Sequence, residues 1–219
     1  MDVSRQSEDD AERGPRARTR RLMVETATRL MQSGITPSVS EVAAAAEVSR
    51  ATAYRYFPSQ AALVQAVVDQ GLGPILTWHS NSHDAEQRVA ELIDVAMPRI
   101  ETFEATFKAA LKLSLDQWAQ RRSGAPEVEA QFKRGHRVEL LTDAIAPLKK
   151  ELSVAEFQRL AQALSLIFGV EVLVVLKDIW GLNGRKTLAV ARWAATALVR
   201  AAIAEQDRPK RGARATALT

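Results

Sequence analysis

Residues 38–57, with the sequence SVSEVAAAAEVSRATAYRYF, contain two capped helical segments separated by a tight turn. Ser38 stands three residues before Glu41, so its hydroxyl and the carboxylate can each bond an unpaired backbone N–H at the start of a helix. Ser49 occupies the same N-cap position before a second helix, and Val48 places an apolar side chain in the turn. The pattern predicts helices over 39–46 and 50–56.

The second of these helices has barely two turns, and a helix of that length is unstable in water by itself. Ala53 and Phe57 are the apolar residues that can hold it against neighbouring helices. Arginine can bond a guanine edge in the major groove, and a helix N-terminus attracts phosphate, so the segment is suited to reading duplex DNA. The residues predicted to face outward are Arg50, Thr52, Tyr54 and Arg55.

The charge around this motif helps to choose between two interpretations. On spacing alone, an ordinary helical hairpin with solvated arginines is the alternative to a DNA reader. Residues 13–56 contain eight arginines against three glutamates, a local excess of five positive charges in a chain of formal net charge +4. A positive field of this kind supplies the sequence-independent part of DNA affinity, and it favours the DNA reader.

Residues 18–66 resemble the N-terminal DNA-binding domain of the TetR family of bacterial transcriptional repressors. The matching residues are the first helix ending in Gly34 and then Val39, Val42, Ala43, Ala46, Val48, Ser49, Thr52, Tyr54, Tyr56, Phe57, Pro58, Ser59 and Leu63. The resemblance implies a recognition helix at about 49–55, a linking fourth helix from residue 59, and a dimer on a palindromic operator. It also implies contacts to bases or adjacent phosphates by Arg50, Ala51, Thr52 and Tyr54, and to backbone phosphates by Ser38, Ser40 and Tyr56.

Three positions depart from the family pattern. Glu47 stands where glycine is usual, and a left-handed backbone there would cost a non-glycine residue roughly 1 kcal/mol. Ala53 replaces a larger apolar residue and thins the packing under the recognition helix. Gln60 replaces a lysine that commonly touches phosphate, so we expect no phosphate contact from residue 60.

Length and composition bound the remaining possibilities. With 219 residues, 47% of them hydrophobic, the chain can build a substantial core in one large or two small domains. The absence of cysteine excludes disulfides and thiolate metal sites. The polar, arginine-rich start lacks the apolar segment of a signal peptide, and the apolar run 164–176 is shorter than the roughly 18 residues of a membrane span. We therefore expect a cytoplasmic protein that makes no use of a membrane.

The whole chain is predicted to be all-α, because alternating segments are absent and Ala, Leu, Glu, Arg and Gln dominate. We expect a three-helix helix-turn-helix domain followed by a larger helical bundle, about nine helices in all. Their predicted ranges are 16–33, 39–46, 50–56, 59–78, 84–100, 102–122, 127–146, 153–179 and 185–205.

Four segments follow from this organisation. The sequence predicts a disordered arm at 1–14, a DNA-binding domain at 15–60, an effector-binding and dimerisation domain at 61–206, and a disordered basic tail at 207–219.

The last two predicted helices carry more apolar surface than one face can bury. Helix 153–179 is apolar almost all round, and helix 185–205 has an apolar stripe that can pair with its neighbour. Two such hairpins from two chains would form a four-helix interface, whereas the alternative is a core within one monomer. The predicted interface residues are Leu164, Phe168, Leu173, Leu188, Ala195, Leu198 and Ala202.

Aromatic residues between 84 and 147 are candidates for binding a small-molecule effector. The candidate residues are Phe103, Phe107, Trp118, Phe132 and His136. The alternative interpretation assigns the aromatics to the core and leaves His136 partly exposed or singly hydrogen-bonded.

Little in the sequence supports catalysis. The chain has three histidines and no cysteine, and it lacks a glycine-rich phosphate loop. His79 and His83 have the spacing of a helical zinc pair, but the Ser-Asn-Ser segment between them favours a solvated loop. We therefore predict no enzyme, metal or cofactor. We predict a sequence-specific DNA-binding transcriptional regulator, in the form of a ligand-responsive repressor that binds a palindromic double-stranded DNA operator as a dimer. The alternative is a helical small-molecule-binding protein without specific DNA recognition.

Overall fold

The computed structural model describes residues 14–124, 132 and 135–206. Within these residues the chain forms ten α-helices and no strand, which confirms the predicted all-α fold. The predicted tail at 207–219 and all of the predicted arm except Gly14 lie outside the described residues. The helices are α1 (Pro15–Gln32), α2 (Val39–Ala45), α3 (Arg50–Tyr56), α4 (Gln60–Leu72), α5 (Ala85–Thr102), α6 (Glu104–Arg122), α7 (His136–Ala144), α8 (Val154–Ser165), α9 (Val170–Leu173) and α10 (Gly184–Gln206).

The helices group into two compact units. The first unit comprises α1 to α4 together with α6, and the second comprises α5 and α7 to α10. Helix α6 therefore lies with the N-terminal helices, although α5 separates it from them along the chain. The predicted division into a DNA-binding domain at 15–60 and an effector-binding and dimerisation domain at 61–206 stays a prediction.

The core of the first unit explains how the short helix α3 is held. Ala53 is the buried residue of α3, and Phe57, which follows the helix, is also buried. Both residues are those that the sequence assigns to packing. The surrounding core consists of Met23, Ala27 and Met31 from α1, Val42 and Ala43 from α2, and Leu63, Val64 and Val67 from α4.

Gly71 allows α6 to approach α4 closely. A Cβ atom at this position would lie 3.3 Å from the Phe107 ring and 3.7 Å from the Phe103 ring. The distance to Phe107 is tighter than most Cβ contacts, so a larger residue at position 71 would require the ring to move. The side chains of Phe103 and Phe107 thus pack against the C-terminal part of α4.

A buried arginine organises part of the second unit. Arg88 on α5 is 8% exposed, and its guanidinium donates to the backbone carbonyls of Ser80, Asp143 and Ala144. It also pairs with the Asp143 carboxylate at 3.0 Å and lies over the Trp78 ring. A buried cation is tolerated only when its donors are satisfied, and here they join the loop before α5 to the end of α7.

The predicted single helix over 153–179 is wrong, because the chain breaks after Ser165. Gly169 has φ 113°, which a helix does not allow, and the two halves are bent by 51°. Arg137 of α7 occupies the break, where its guanidinium donates to the Ser165 carbonyl at 3.1 Å and pairs with Glu171. After α9 the chain continues as a π-helical turn, Val174–Ile179.

Two other predicted helices are shorter than expected. The predicted helix 59–78 ends at Leu72, because Gly73 has φ 48° and Pro74 follows it, and a 3-10 turn over Gly73–Thr77 replaces the remainder. For the predicted helix 127–146, the described residues are helical over His136–Ala144, and a 3-10 turn Ala146–Lys150 follows. Residues 127–131, 133 and 134 of that prediction lie outside the described residues.

Among the described residues, helix α10 is long and apolar enough to span a membrane. Helix α8 and the segment Val170–Ile179 reach this length only when they are taken together, and they are bent at the break between them. Core helices share the same composition, so the signal is weak. Arg192 and Arg200 of α10 form ion pairs with Asp94 and Glu86 of α5. The hydrogen bond from Arg200 lowers the pKa of Glu86 below its ordinary value.

Among the described residues, Glu47 is the non-glycine residue with positive φ, at 55°, so the cost that the sequence attaches to a left-handed backbone at this position applies. We expect Glu47→Gly to raise the free energy of unfolding by about 1 kcal/mol, because glycine adopts this backbone without the Cβ clash. Thermal and urea unfolding would measure the change. Glu47→Ala is the matched control, since it removes the carboxylate and keeps the Cβ. Equal stability of the two variants would contradict the backbone explanation.

Candidate nucleic-acid interface

Both predicted helix caps are present in the helix-turn-helix. The Glu41 backbone N–H donates to Ser38 Oγ at 3.2 Å, and the Ser38 backbone N–H donates to the Glu41 carboxylate at 2.7 Å. This reciprocal arrangement fixes the first turn of α2. At α3 the Thr52 backbone N–H donates to Ser49 Oγ at 3.2 Å.

The turn between the helices is closed by backbone hydrogen bonds. The Val48 N–H donates to the Ala43 carbonyl at 2.9 Å, and the Glu47 N–H donates to the Ala44 carbonyl at 3.2 Å. These bonds satisfy carbonyls at the end of α2, and they require the left-handed backbone of Glu47. The chain therefore leaves α2 and enters α3 along a fixed path.

The eight predicted DNA-contacting residues lie on α3 and at the N-terminal end of α2. Arg50, Ala51, Tyr54 and Arg55 are exposed, and Ser38, Ser40, Thr52 and Tyr56 are partly exposed. The Arg55 guanidinium lies 5.7 Å from the centre of the Tyr56 ring. The geometry leaves basic and hydroxyl groups of this surface open to solvent.

Hydroxyl groups connect the two helices and orient their side chains. Ser40 Oγ lies 3.3 Å from the Tyr54 hydroxyl, which joins the start of α2 to the middle of α3. Ser49 Oγ donates to Thr52 Oγ1 at 2.9 Å and so directs the threonine hydroxyl. The sequence pattern identified these residues one at a time, and it did not reveal that they pair.

Gln60 contacts the chain that leads into α2. Its side-chain amide donates to the Thr36 carbonyl and to the Pro37 carbonyl, each at 3.1 Å. The sequence predicts no phosphate contact from residue 60, and it does not reveal that the side chain bonds this loop. The missing signal is a long-range one, since 23 and 24 residues separate the partners.

Helix α1 adds positive charge beside this surface. Arg16, Arg18 and Arg21 are exposed in its first two turns. Arg20 is also exposed, and its guanidinium lies 5.5 Å from the centre of the Phe57 ring. Such a contact attaches the arginine-rich end of α1 to the segment that follows α3.

Comparison with known proteins agrees with this geometry. Residues 24–67 match the family model described as bacterial regulatory proteins, tetR family. The N-terminal domain belongs to the TetR family. A tetR-family transcriptional regulator from Streptomyces coelicolor has a similar fold over 90% of this chain and 92% of its own, with a TM-score of 0.54 and 16% identity. No curated protein sequence matches the chain. The TetR-family domain supports a DNA-binding regulator.

The five candidate effector residues have different surroundings. Phe103 and Phe107 lie against Gly71 of α4 in the first unit, where Phe107 is buried and Phe103 is partly exposed. Trp118, on the same helix, is 57% exposed. The Phe132 backbone N–H donates to the Gln117 side chain at 3.0 Å, and His136 begins α7 in the second unit. The structure thus divides the set between two units, and the effector site stays a prediction.

The seven candidate interface residues also differ in burial. Within the single chain, the side chains of Leu164, Phe168, Leu173 and Ala195 are buried, so these four belong to the core of the second unit. Their burial matches the alternative of a core within one monomer. The partly exposed residues are Leu188, Leu198 and Ala202.

His79 and His83 lie in an irregular segment between Trp78 and Asp84, so the helical spacing of a zinc pair is not formed. His79 Nδ1 lies 3.4 Å from the Thr77 carbonyl. Among the residues that the structure describes, no group of three His, Asp or Glu side chains is placed to hold a metal ion.

The capping box of this TetR-family domain should make stability depend on pH. The Ser38 backbone N–H bonds the Glu41 carboxylate and holds the pKa of Glu41 below its ordinary value of 4.5. A lowered folded-state pKa contributes stability that is present above 4.5 and is lost as the pH falls through the lower value. We expect Glu41→Gln to be less stable than the wild type near neutral pH, with a difference that shrinks below pH 4.5. Thermal unfolding across this range would measure it, and a pH-independent difference would argue against the carboxylate.

Proposed function

We propose that this chain is a transcriptional repressor that binds a palindromic DNA operator as a homodimer in the cytoplasm. The observation that carries the proposal is the exposed face of α3, where Arg50 and Tyr54 follow the Ser49 cap. The TetR-family match over 24–67 supports DNA binding by this surface.

The chemistry of the surface fits two kinds of contact. Arg50, at the first turn of α3, would bond a guanine edge in the major groove, and Tyr54 would reach a thymine methyl or a phosphate. Ser38 and Ser40 would bond phosphates at the start of α2, where helix N-terminal N–H groups add attraction. The first kind of contact gives sequence preference, whereas the second gives affinity for any duplex.

The proposed dimer uses apolar side chains that the last helices and the segments between them leave exposed, rather than the four residues that are buried in the chain. Large apolar side chains remain exposed there, at 80% for Leu166, 73% for Ile179, 71% for Trp180 and 70% for Trp193. Exposed aromatic and aliphatic side chains of this size are typical of protein interfaces. A two-fold dimer would also present two α3 helices to two half-sites.

Ligand response is the remaining part of the proposal. An apolar or amphipathic effector that binds among residues 84–147 would change the position of α4, which begins four residues after α3 ends. A ligand preference of about 1–3 kcal/mol between two arrangements would change DNA affinity by roughly 5- to 150-fold. Operator release would follow if the ligand prefers the arrangement that binds DNA less well.

The alternative function is a helical small-molecule-binding protein without specific DNA recognition. The salt dependence of binding separates the two functions. A DNA binder loses affinity steeply as salt is added, because salt reduces the free energy gained by releasing counterions from the phosphates, whereas an apolar ligand site keeps its affinity. Selection of random duplexes by the purified protein is the direct test of the proposal. A palindromic consensus would support it, and recovery of no duplex above background would contradict it.

We expect Arg50→Ala to weaken operator binding and to relax the preference at one base position, at a cost of about 1–3 kcal/mol. Ser40→Ala is the comparison, because loss of a phosphate contact should weaken operator and random DNA alike. Titration of the selected operator and of random duplex would measure both effects. If Arg50→Ala keeps full affinity and an unchanged consensus, α3 does not read the bases through this residue.

For the dimer we expect Trp193→Glu to produce a monomer, because burying an unpaired charge costs several kcal/mol. Trp118→Glu is the matched control, since Trp118 is also an exposed tryptophan but lies on α6 in the first unit. Sedimentation would measure the mass of each variant. An unchanged dimer with Trp193→Glu would remove the outer face of α10 from the interface.

A further inference from the structure

The first residue of α4 holds the segment that leads into α2. The Gln60 side-chain nitrogen lies 3.1 Å from the Thr36 carbonyl oxygen and 3.1 Å from the Pro37 carbonyl oxygen. We propose that Gln60 is a positioning residue that fixes the phosphate-contacting end of α2. This inference rests on the proposed DNA binding, and it assigns to α4 a role in recognition without any contact to DNA.

The amide group suits this position because it is neutral and carries two N–H donors on one nitrogen. Two successive carbonyls can therefore be satisfied by one side chain. A carboxylate would present oxygen atoms to the same carbonyls, and an ammonium ion at this partly buried position would lose part of its hydration. Glutamine therefore lacks the positive charge of the lysine that the family resemblance implies at this position, and its two donors hold the loop instead.

The two carbonyls stand immediately before the proposed phosphate contacts. Pro37 is buried and directly precedes Ser38, the N-cap of α2. The Val42 N–H donates to the Ser38 carbonyl at 3.1 Å, so the position of residue 38 sets the first turn of the helix. A shift of the loop would therefore move Ser38 and Ser40 together.

The same displacement would also move α3, the proposed recognition helix. Ser40 Oγ lies 3.3 Å from the Tyr54 hydroxyl, so the start of α2 is joined to α3. The backbone of Gln60 lies two residues after Pro58, in the chain that leaves α3. Its side chain bonds the chain that enters α2, so Gln60 contacts both ends of the helix-turn-helix.

A second contact ties this loop to the rest of the first unit. Thr36 Oγ1 lies 3.4 Å from the Ala109 carbonyl of α6, which is longer than an ordinary O–H···O hydrogen bond. The amide of Gln60 makes the shorter contacts with the loop. Removal of the Gln60 amide should therefore increase the mobility of the loop that leads into α2 and leave the core of α1, α4 and α6 intact.

The first experiment tests the hydrogen bonds without DNA. Gln60→Met keeps the length of the side chain and removes both donors. Gln65→Met is the matched control on the same helix, because the Gln65 amide donates to Asp69 within α4 and not to the loop. We expect Gln60→Met to accelerate hydrogen exchange of the Glu41 and Val42 amides by about tenfold, and Gln65→Met to leave it unchanged. Unchanged exchange in Gln60→Met would overturn the proposal.

The second experiment tests positioning with the operator recovered by selection and with a random duplex. We expect Gln60→Met to weaken binding of the random duplex about tenfold and binding of the operator at least as much, and to reduce the salt dependence of binding. Adding Ser40→Ala to Gln60→Met should then cost less than Ser40→Ala costs alone, because the contact is already impaired. Additive losses, or an unchanged salt dependence, would assign Gln60 to stability only and refute positioning.

The outcomes separate this inference from the proposed function. If the wild-type protein binds neither duplex, the proposed function fails while the exchange result still reports on the hydrogen bonds. If the wild type binds DNA and Gln60→Met binds equally well, the proposed function stands and the positioning role fails. Thermal unfolding of each variant verifies that the compared proteins are folded.

Discussion

A seven-residue helix cannot hold its own shape in water, and the rest of the first unit depends on this constraint. Helix α3 is anchored by the buried Ala53 and by Phe57 just beyond its end. Because a single methyl group is its internal anchor, its orientation depends on the turn at Glu47, the hydroxyl contact between Ser40 and Tyr54, and the start of α4. The outward side chains are therefore positioned by the chain around the helix rather than by the helix itself.

Local signals explain how much of this domain could be predicted from the sequence. Ser38 and Glu41 bond each other across three residues, so the start of α2 is visible as a pattern of letters. Ser49 marks the start of α3 in the same way. The strain at Glu47 could also be predicted, since a turn of this type requires a positive φ whatever residue occupies it. Where a structural feature depends on residues within one turn of each other, sequence reasoning succeeds.

Features that depend on distant partners could not be predicted. The break at Gly169 involves Arg137, which lies 28 residues before its partner Ser165, and nothing in the apolar run between 164 and 176 identifies that arginine. The pairing of Gln60 with Thr36 and Pro37 is hidden for the same reason. Likewise, the residues of an apolar stripe are of the same types whether the stripe packs in its own core or against a second chain. The burial of Leu173 within one chain could therefore be seen only in the structure.

The grouping of α6 with α1 to α4 has a consequence for synthesis on the ribosome. Phe107 and Ala110 of α6 are buried in the first unit, and α6 contacts both α1 and α4. When Leu72 has been made, the four N-terminal helices still lack this cover, and their apolar surface remains open to water and to other nascent chains. The order in which the chain emerges therefore delays completion of the N-terminal unit until α5 and α6 have followed it. A fragment that stops after α4 would contain α3 and lack the part of the first unit's core that α6 supplies.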